Sequence, residues 1–258
     1  MGTSVQKAIF NSADGQTLSG RIELPDGAPR ATAIFAHCFT CSKDFVATRT
    51  ISGALAELGF AVMRFDFTGL GHSDGDFADT NFSSNCADLV SAADWLRANI
   101  QAPSLLVGHS LGGAAVLSVA ASIPDVKAVA AIAAPADAAH VTHAFAARMD
   151  EIKHRGEAEV TLAGRNFRIK RQFLDDLSEQ NLLSRVAALK KPILLLHAPH
   201  DETVGLENAQ RLYEAAKHPK SFISLDDADH LLTRLDDAQY AARVIAAWSS
   251  RYVATARD

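Results

Sequence analysis

The sequence predicts an α/β protein with a mostly parallel central sheet and helices on both faces. Three observations lead there. Short apolar runs alternate with helical patterns along most of the chain. An alternating hairpin opens it, and a Gly-x-Ser-x-Gly stands between an apolar run and a helical pattern.

Val5–Phe10 and Leu18–Leu24 alternate around Asp14-Gly15, the pattern of an antiparallel hairpin. Short runs with apolar residues on both faces follow, as buried parallel strands require: Ala31–Ala36, Ala61–Phe65, Ser104–Val107, Val126–Ala133 and Pro192–His197, with Ser221–Leu225 completing the set. Helices are expected over Phe45–Leu58, Cys86–Ile100, Leu111–Ser122, Leu206–Ala216 and Ala238–Ser250. A chain of 258 residues can bury a substantial core, and 1–258 reads as one domain.

One segment breaks the rhythm. Ala136 to Leu189 has no core-strand pattern; two helical stretches, about His140–His154 and Gln172–Ala188, flank an alternating piece turned near Gly164. An insertion of this length with its own secondary structure is expected to form a lid. Phe145 and Met149 lie four apart on its first predicted helix, Phe173 and Leu177 on its second, so each pair should share a face. They are the expected lining of an acyl pocket.

The net charge of -5, from 30 acids against 25 bases, is scattered in sign, which argues against a nucleic-acid partner. No run approaches the roughly 18 apolar residues of a membrane span. The N-terminal residues lack a signal-peptide pattern, and Gln6 stands where a Gly2 myristoylation site needs Ser or Thr. A cytoplasmic protein with no membrane partner is the expectation. No metal-ligand spacing appears, and Gly69-Leu70-Gly71 lacks the third glycine of a dinucleotide fingerprint, so neither metal nor cofactor is expected.

Gly108-His109-Ser110-Leu111-Gly112 is entered by Leu105-Leu106-Val107 and followed by an Ala- and Gly-rich helix. A sharp strand-to-helix turn there lifts the Ser110 hydroxyl to the sheet edge, and glycines are needed because its two arms approach closely. The Leu111 N–H, at a helix N-terminus, suits a developing oxyanion. A serine hydroxyl needs a base, and the base a third group to orient it. After Leu194-Leu195-Leu196-His197 the acid is expected at Asp201, with Glu202 as the nearby rival; before the last helix, His230 is the base. His109 is expected to point away from the base position, and His197 to pack beneath the acid loop. The second oxyanion donor belongs in the loop His37 to Asp44, at Phe39 N–H or alternatively Cys38 N–H.

Together these residues resemble the α/β-hydrolase superfamily over almost the whole chain. The loop that usually reads His-Gly-x here reads His37-Cys38-Phe39, and Asp66-Phe67-Thr68-Gly69-Leu70-Gly71-His72-Ser73 matches Asp-x-Arg-Gly-x-Gly-x-Ser except at Thr68. Both runs, with Thr80 to Asn85, Ala163-Gly164-Arg165 and Gln172 to Asp176, look like the hydrolase half of bacterial proteins that join an α/β hydrolase to a C-terminal OsmC-like domain. That likeness implies one of two things: such a domain as a partner in a longer parent protein, or a stand-alone relative of the hydrolase half. The hydroperoxide chemistry of OsmC-like domains does not carry over. The resemblance implies a serine hydrolase, most simply a carboxylesterase, with thioesters or amides as neighbouring substrates; the apolar lining expected from the lid points to small-to-medium hydrophobic acyl esters. Dehalogenase or epoxide hydrolase chemistry would need Asp in place of Ser110.

Three cysteines are too few for a disulfide framework, but Cys38 and Cys41 form a C-x-x-C after a strand. A thiol-redox role is the alternative to their shaping the oxyanion loop. A non-catalytic binding protein would be expected to lack a triad member, and none is missing.

Overall fold

A computed structural model describes residues 2–253. Eight strands form one sheet: β1 (Ser4–Asn11), β2 (Thr17–Leu24), β3 (Ala31–Ala36), β4 (Phe60–Phe65), β5 (Leu105–His109), β6 (Ala128–Ile132), β9 (Ile193–His197) and β10 (Lys220–Ser224). Two more, β7 (Glu157–Leu162) and β8 (Arg165–Lys170), pair antiparallel on their own. The large sheet runs β1-β2-β4-β3-β5-β6-β9-β10. β1 and β2 form the antiparallel hairpin and β2 meets β4 antiparallel; every later pairing is parallel. This is the mostly parallel sheet expected from the apolar runs.

Strand alternation sorts the core between the faces. Phe35, Val62 and Val107 face one way, where they pack with α1 (Val46–Glu57) and α8 (Leu235–Val253). Ile34, Met63 and Leu106 face the other, toward α2 (Phe82–Asn99) and α3 (Leu111–Val119). Because both faces are covered, β3 to β6 and β9 are buried throughout, which explains their largely apolar sequences.

Helix α2 begins at Phe82, four residues before the expected Cys86. Asn81 caps it: its side chain accepts from the Ser84 N–H at 2.8 Å, and the Asn81 N–H donates back to Ser84 Oγ at 2.9 Å. That reciprocal cap recruits a first turn that carries little apolar periodicity.

The segment 136–189 is an elaborated insertion between β6 and β9, but its helices differ from expectation. Residues Ala138–Arg148 form 3-10 turns broken at Phe145 (φ -136°, ψ 29°), and α4 (Met149–Arg155) starts only afterwards. Phe145 and Met149 therefore do not share a helix. The second expected helix divides into α5 (Arg171–Glu179) and α6 (Leu182–Ala188); α7 (Glu207–Ala215) follows β9. The insertion shares the core of the α2/α3 face through Phe145, Ile152, Val160, Phe173 and Leu177. Polar ties reinforce this: Asn81 Nδ2 donates to Gln172 Oε1 at 2.8 Å, and the Ser83 N–H donates to Asp176 at 3.0 Å. Among the described residues no helix is long and apolar enough to cross a membrane.

Candidate active site

The turn between β5 and α3 is as tight as the motif demanded. Ser110 sits at φ 55°, ψ -124°, a region that costs a non-glycine residue of order 1–3 kcal/mol. A side chain at Gly112 would overlap the Ala36 and His37 carbonyls, and one at Gly108 would overlap the Gly112 carbonyl. Only glycine lets β3, β5 and α3 meet here. Thr40, Ala133 and Leu232 are further non-glycine residues at positive φ, and all three lie in loops on the same sheet edge. Such strain persists only where the surrounding fold imposes it.

Three long-range loops converge on that edge. His230 Nε2 lies 3.0 Å from Ser110 Oγ, and His230 Nδ1 lies 2.7 Å from Asp201 Oδ2. Asp201 Oδ1 accepts from the N–H groups of Thr203 at 2.9 Å and Val204 at 2.8 Å. Burial would raise the Asp201 pKa, yet the hydrogen bonds from His230 and these amides outweigh it, so its carboxyl is held below the usual aspartate value. An ionised carboxylate only accepts. The proton on His230 therefore resides at Nδ1, leaving Nε2 free to accept from Ser110. Glu202 is exposed beside Asp201 and makes no hydrogen bond to His230.

Two further histidines, His197 and His109, lie behind the relay. His197 Nε2 donates to the Val204 carbonyl at 2.7 Å, beneath the acid loop as expected. His109 has a role that its sequence position concealed. It is fully buried, its pKa is pushed down to about 4 by desolvation, and its Nε2 donates to the His230 carbonyl at 2.6 Å. The side chain next to Ser110 thus braces the loop that carries His230.

The loop after β3 carries Phe39. Lys43, at its far end, is anchored by Asp66: the Lys43 N–H donates to Asp66 Oδ1 at 2.6 Å and its Nζ pairs with Oδ2. Asp66 also accepts from the His72 N–H at 2.9 Å, which gives the Asp66-to-Ser73 run its structural purpose. Cys38 and Cys41, whose Cα atoms are 5.3 Å apart, are joined by a disulfide that brackets Phe39. The cysteine that replaces the usual glycine is thus part of a cross-link. No backbone acceptor is found for the Phe39 or Leu111 N–H among the described residues, and both residues line the cavity above Ser110.

That cavity holds about 640 Å³ and contains Ser110 and His230 in its wall. Its apolar lining includes Phe39, Phe45, Val141, Ala144, Leu162 and Leu231. None of Phe145, Met149, Phe173 and Leu177 lines it, which corrects the expected acyl pocket. Phe145, Phe173 and Leu177 are instead buried in the joint core, with Met149 packed against it, because the break at Phe145 turns the first lid segment. The cavity face of the lid comes from Val141, Ala144 and the β7–β8 hairpin. The alternation of the hairpin is legible in the sequence, but not which of its faces meets the cavity.

Fold and site define a hydrolase of the α/β type. A family profile described as serine aminopeptidase, S33 matches residues 27–162, just over half of the chain, and the chain belongs to that family. It is similar to the esterase domain of a Rhodothermus marinus protein, at 49% identity and TM-score 0.79, covering 97% of this chain and 99% of that one. It is also similar to the mouse mitochondrial palmitoyl-protein thioesterase ABHD10, at 32% identity over 189 residues, covering 70% of this chain and 59% of the mouse protein. The chain thus spans about three-fifths of that curated relative. The fold alone is shared with Est1E of Butyrivibrio proteoclasticus bound to ferulic acid, at 22% identity and TM-score 0.77, covering 92% and 97% of the two chains.

Proposed function

We propose that the protein is a serine carboxylic-ester hydrolase that works through an acyl-enzyme on Ser110. The observation that carries this reading is the continuous relay from Ser110 Oγ through His230 to Asp201, at 3.0 and 2.7 Å. Ser110 Oγ attacks the acyl carbon while His230 Nε2 takes its proton. The Phe39 and Leu111 N–H groups hold the oxyanion, at a helix N-terminus on the Leu111 side. His230 then returns the proton to the leaving alcohol. Water, deprotonated by the same nitrogen, releases the acid and restores Ser110. Asp201 keeps His230 in the tautomer that this cycle needs.

The apolar walls suit a small-to-medium hydrophobic acyl group. A thioester is the second reading, favoured by the name of the mouse relative; the relay and acyl-enzyme would be the same, with a thiol leaving. A fluorophosphonate probe should label Ser110 and not a folded Ser110→Ala variant. Parallel rates on 4-nitrophenyl butyrate and butyryl-thiocholine then separate the ester from the thioester preference. Absence of Ser110 labelling together with absence of turnover on both substrates overturns the proposal.

A further inference from the structure

Ser110 lies beneath a wall with one formally charged residue. The cavity contains no Asp, Glu or Lys; its single permanently charged side chain is Arg165, at the start of β8. Strand alternation puts Arg165 on the face of Phe167, whose ring packs on Phe77 at 4.8 Å and lies 5.2 Å from the guanidinium. Arg168, on the other face, pairs with Asp76 at 3.0 Å.

Arg165 differs from such paired arginines. It has no carboxylate partner among the described residues, although the chain carries 30 acids. Its Nη2 donates to the carbonyl of Thr40, beside the Phe39 donor, and no other acceptor for it occurs among the described residues. A guanidinium has five N–H donors in a planar fork. Most of that fork remains available at the active-site mouth of a protein with net charge -5. The His140 and His143 rings stand in the same wall, 4.6 Å apart, but the His140 Nε2–H is already taken up by the Thr203 carbonyl at 2.8 Å, which leaves Arg165 as the donor-rich group.

We infer that Arg165 makes the cavity select esters bearing a free carboxylate besides the scissile bond. This rests on the esterase reading above and narrows its substrate class. A planar fork matches a carboxylate bidentately. One guanidinium with no second fixed cation also matches a monoanion better than a phosphate dianion, whose second charge would stay uncompensated. The apolar walls hold the carbon skeleton between that carboxylate and the ester. Arg165 is thus a specificity residue supplied by the lid.

The test compares matched anionic and neutral esters. One arm uses 4-nitrophenyl hemiadipate against 4-nitrophenyl hexanoate, placing the carboxylate on the acyl side. The other uses 4-acetoxybenzoate against its methyl ester, placing it on the alcohol side. The wild-type kcat/KM ratio of anionic to neutral ester should be about tenfold or more in one arm, the size of one charge-assisted hydrogen bond. Arg165→Gln should cut that ratio about tenfold, chiefly through KM, and Arg165→Lys should keep part of it. Raising NaCl to 0.5 M should shrink the wild-type ratio as the charge is screened. A wild-type ratio near one in both arms overturns the inference. So does an equal loss on both esters in Arg165→Gln, which would make Arg165 only a brace for the Thr40 loop. Turnover of the neutral ester without anionic preference leaves the esterase reading intact; failure of Ser110 labelling removes both.

Discussion

The loops on the sheet edge and the lid above them meet at one cavity, yet they are built by different rules. The edge loops are held by backbone: positive φ at Ser110 and Thr40, glycines where chains collide, and amides donating to Asp201. The lid is held by side chains, with Phe145, Phe173 and Leu177 sunk into the joint core and polar ties to residues 81 and 83. Chemistry therefore rests on positions whose alternatives are sterically excluded. On the proposed reading, selectivity rests on a surface that can change one side chain at a time.

The largest effect that tests this contrast lies on the edge. Asp201→Asn preserves the shape of the acid but replaces an acceptor-only carboxylate with an amide that can donate toward His230 Nδ1. That inverts the tautomer and should lower kcat by about 10⁴-fold, with a melting temperature close to wild type. Retention of more than a tenth of the activity in a folded variant would break the division, by moving the acid role elsewhere.

A smaller effect should appear in the lid, and in stability rather than chemistry. Phe173 is buried at 3% exposure, so Phe173→Ala should cost about 3–5 kcal/mol. In a chain of this size that is roughly a 10 °C fall in melting temperature. Its acyl-length profile on nitrophenyl esters should match the parent's. Ala144→Trp should do the reverse, shortening the preferred acyl chain with little thermal cost, since Ala144 is exposed to the cavity. Equal shifts in chain-length preference from both variants would erase the distinction between lid core and lid lining.

The smallest effect concerns Asp88 on α2, next to the lid's anchor. Burial pushes its pKa up to about 6, against the lowering effect of hydrogen bonds from the Thr68 N–H and hydroxyl. The folded protein holds this proton to higher pH than the unfolded chain, whose aspartate titrates near 4. The Asp88 contribution to stability should therefore fall as pH rises between about 4 and about 6, and stay low above. Asp88→Asn should be more stable than wild type by of order 1 kcal/mol at pH 7.5, with the advantage vanishing at pH 4. Denaturant melts at the two pH values measure it; a pH-independent difference would show that Asp88 does not titrate there.

The residues legible without tertiary structure are those whose neighbours in sequence are their neighbours in space. Gly108 to Gly112 encodes its own turn, because close backbone approach forbids a Cβ. The apolar runs encode buried strands, because both faces of the sheet are covered. The chain order Ser110, Asp201, His230 placed three candidate residues at strand ends, and they meet within hydrogen-bond distance. What periodicity lacked was direction. It could not tell that the chain breaks at Phe145, which turns that ring into the core and leaves Val141 and Ala144 facing the cavity.

The strand-helix rhythm, the elbow and an insertion with its own secondary structure after β6 follow from local sterics and from the periods of strands and helices, and these the sequence carries by itself. Tertiary structure decided the rest. It joined Cys38 to Cys41 and set His109 behind His230, 121 residues away. It also carried Arg165 across 125 residues to the Thr40 carbonyl. Such contacts depend on how rigid elements pack in three dimensions, and burial of apolar surface, which drives that packing, has no direction along the chain.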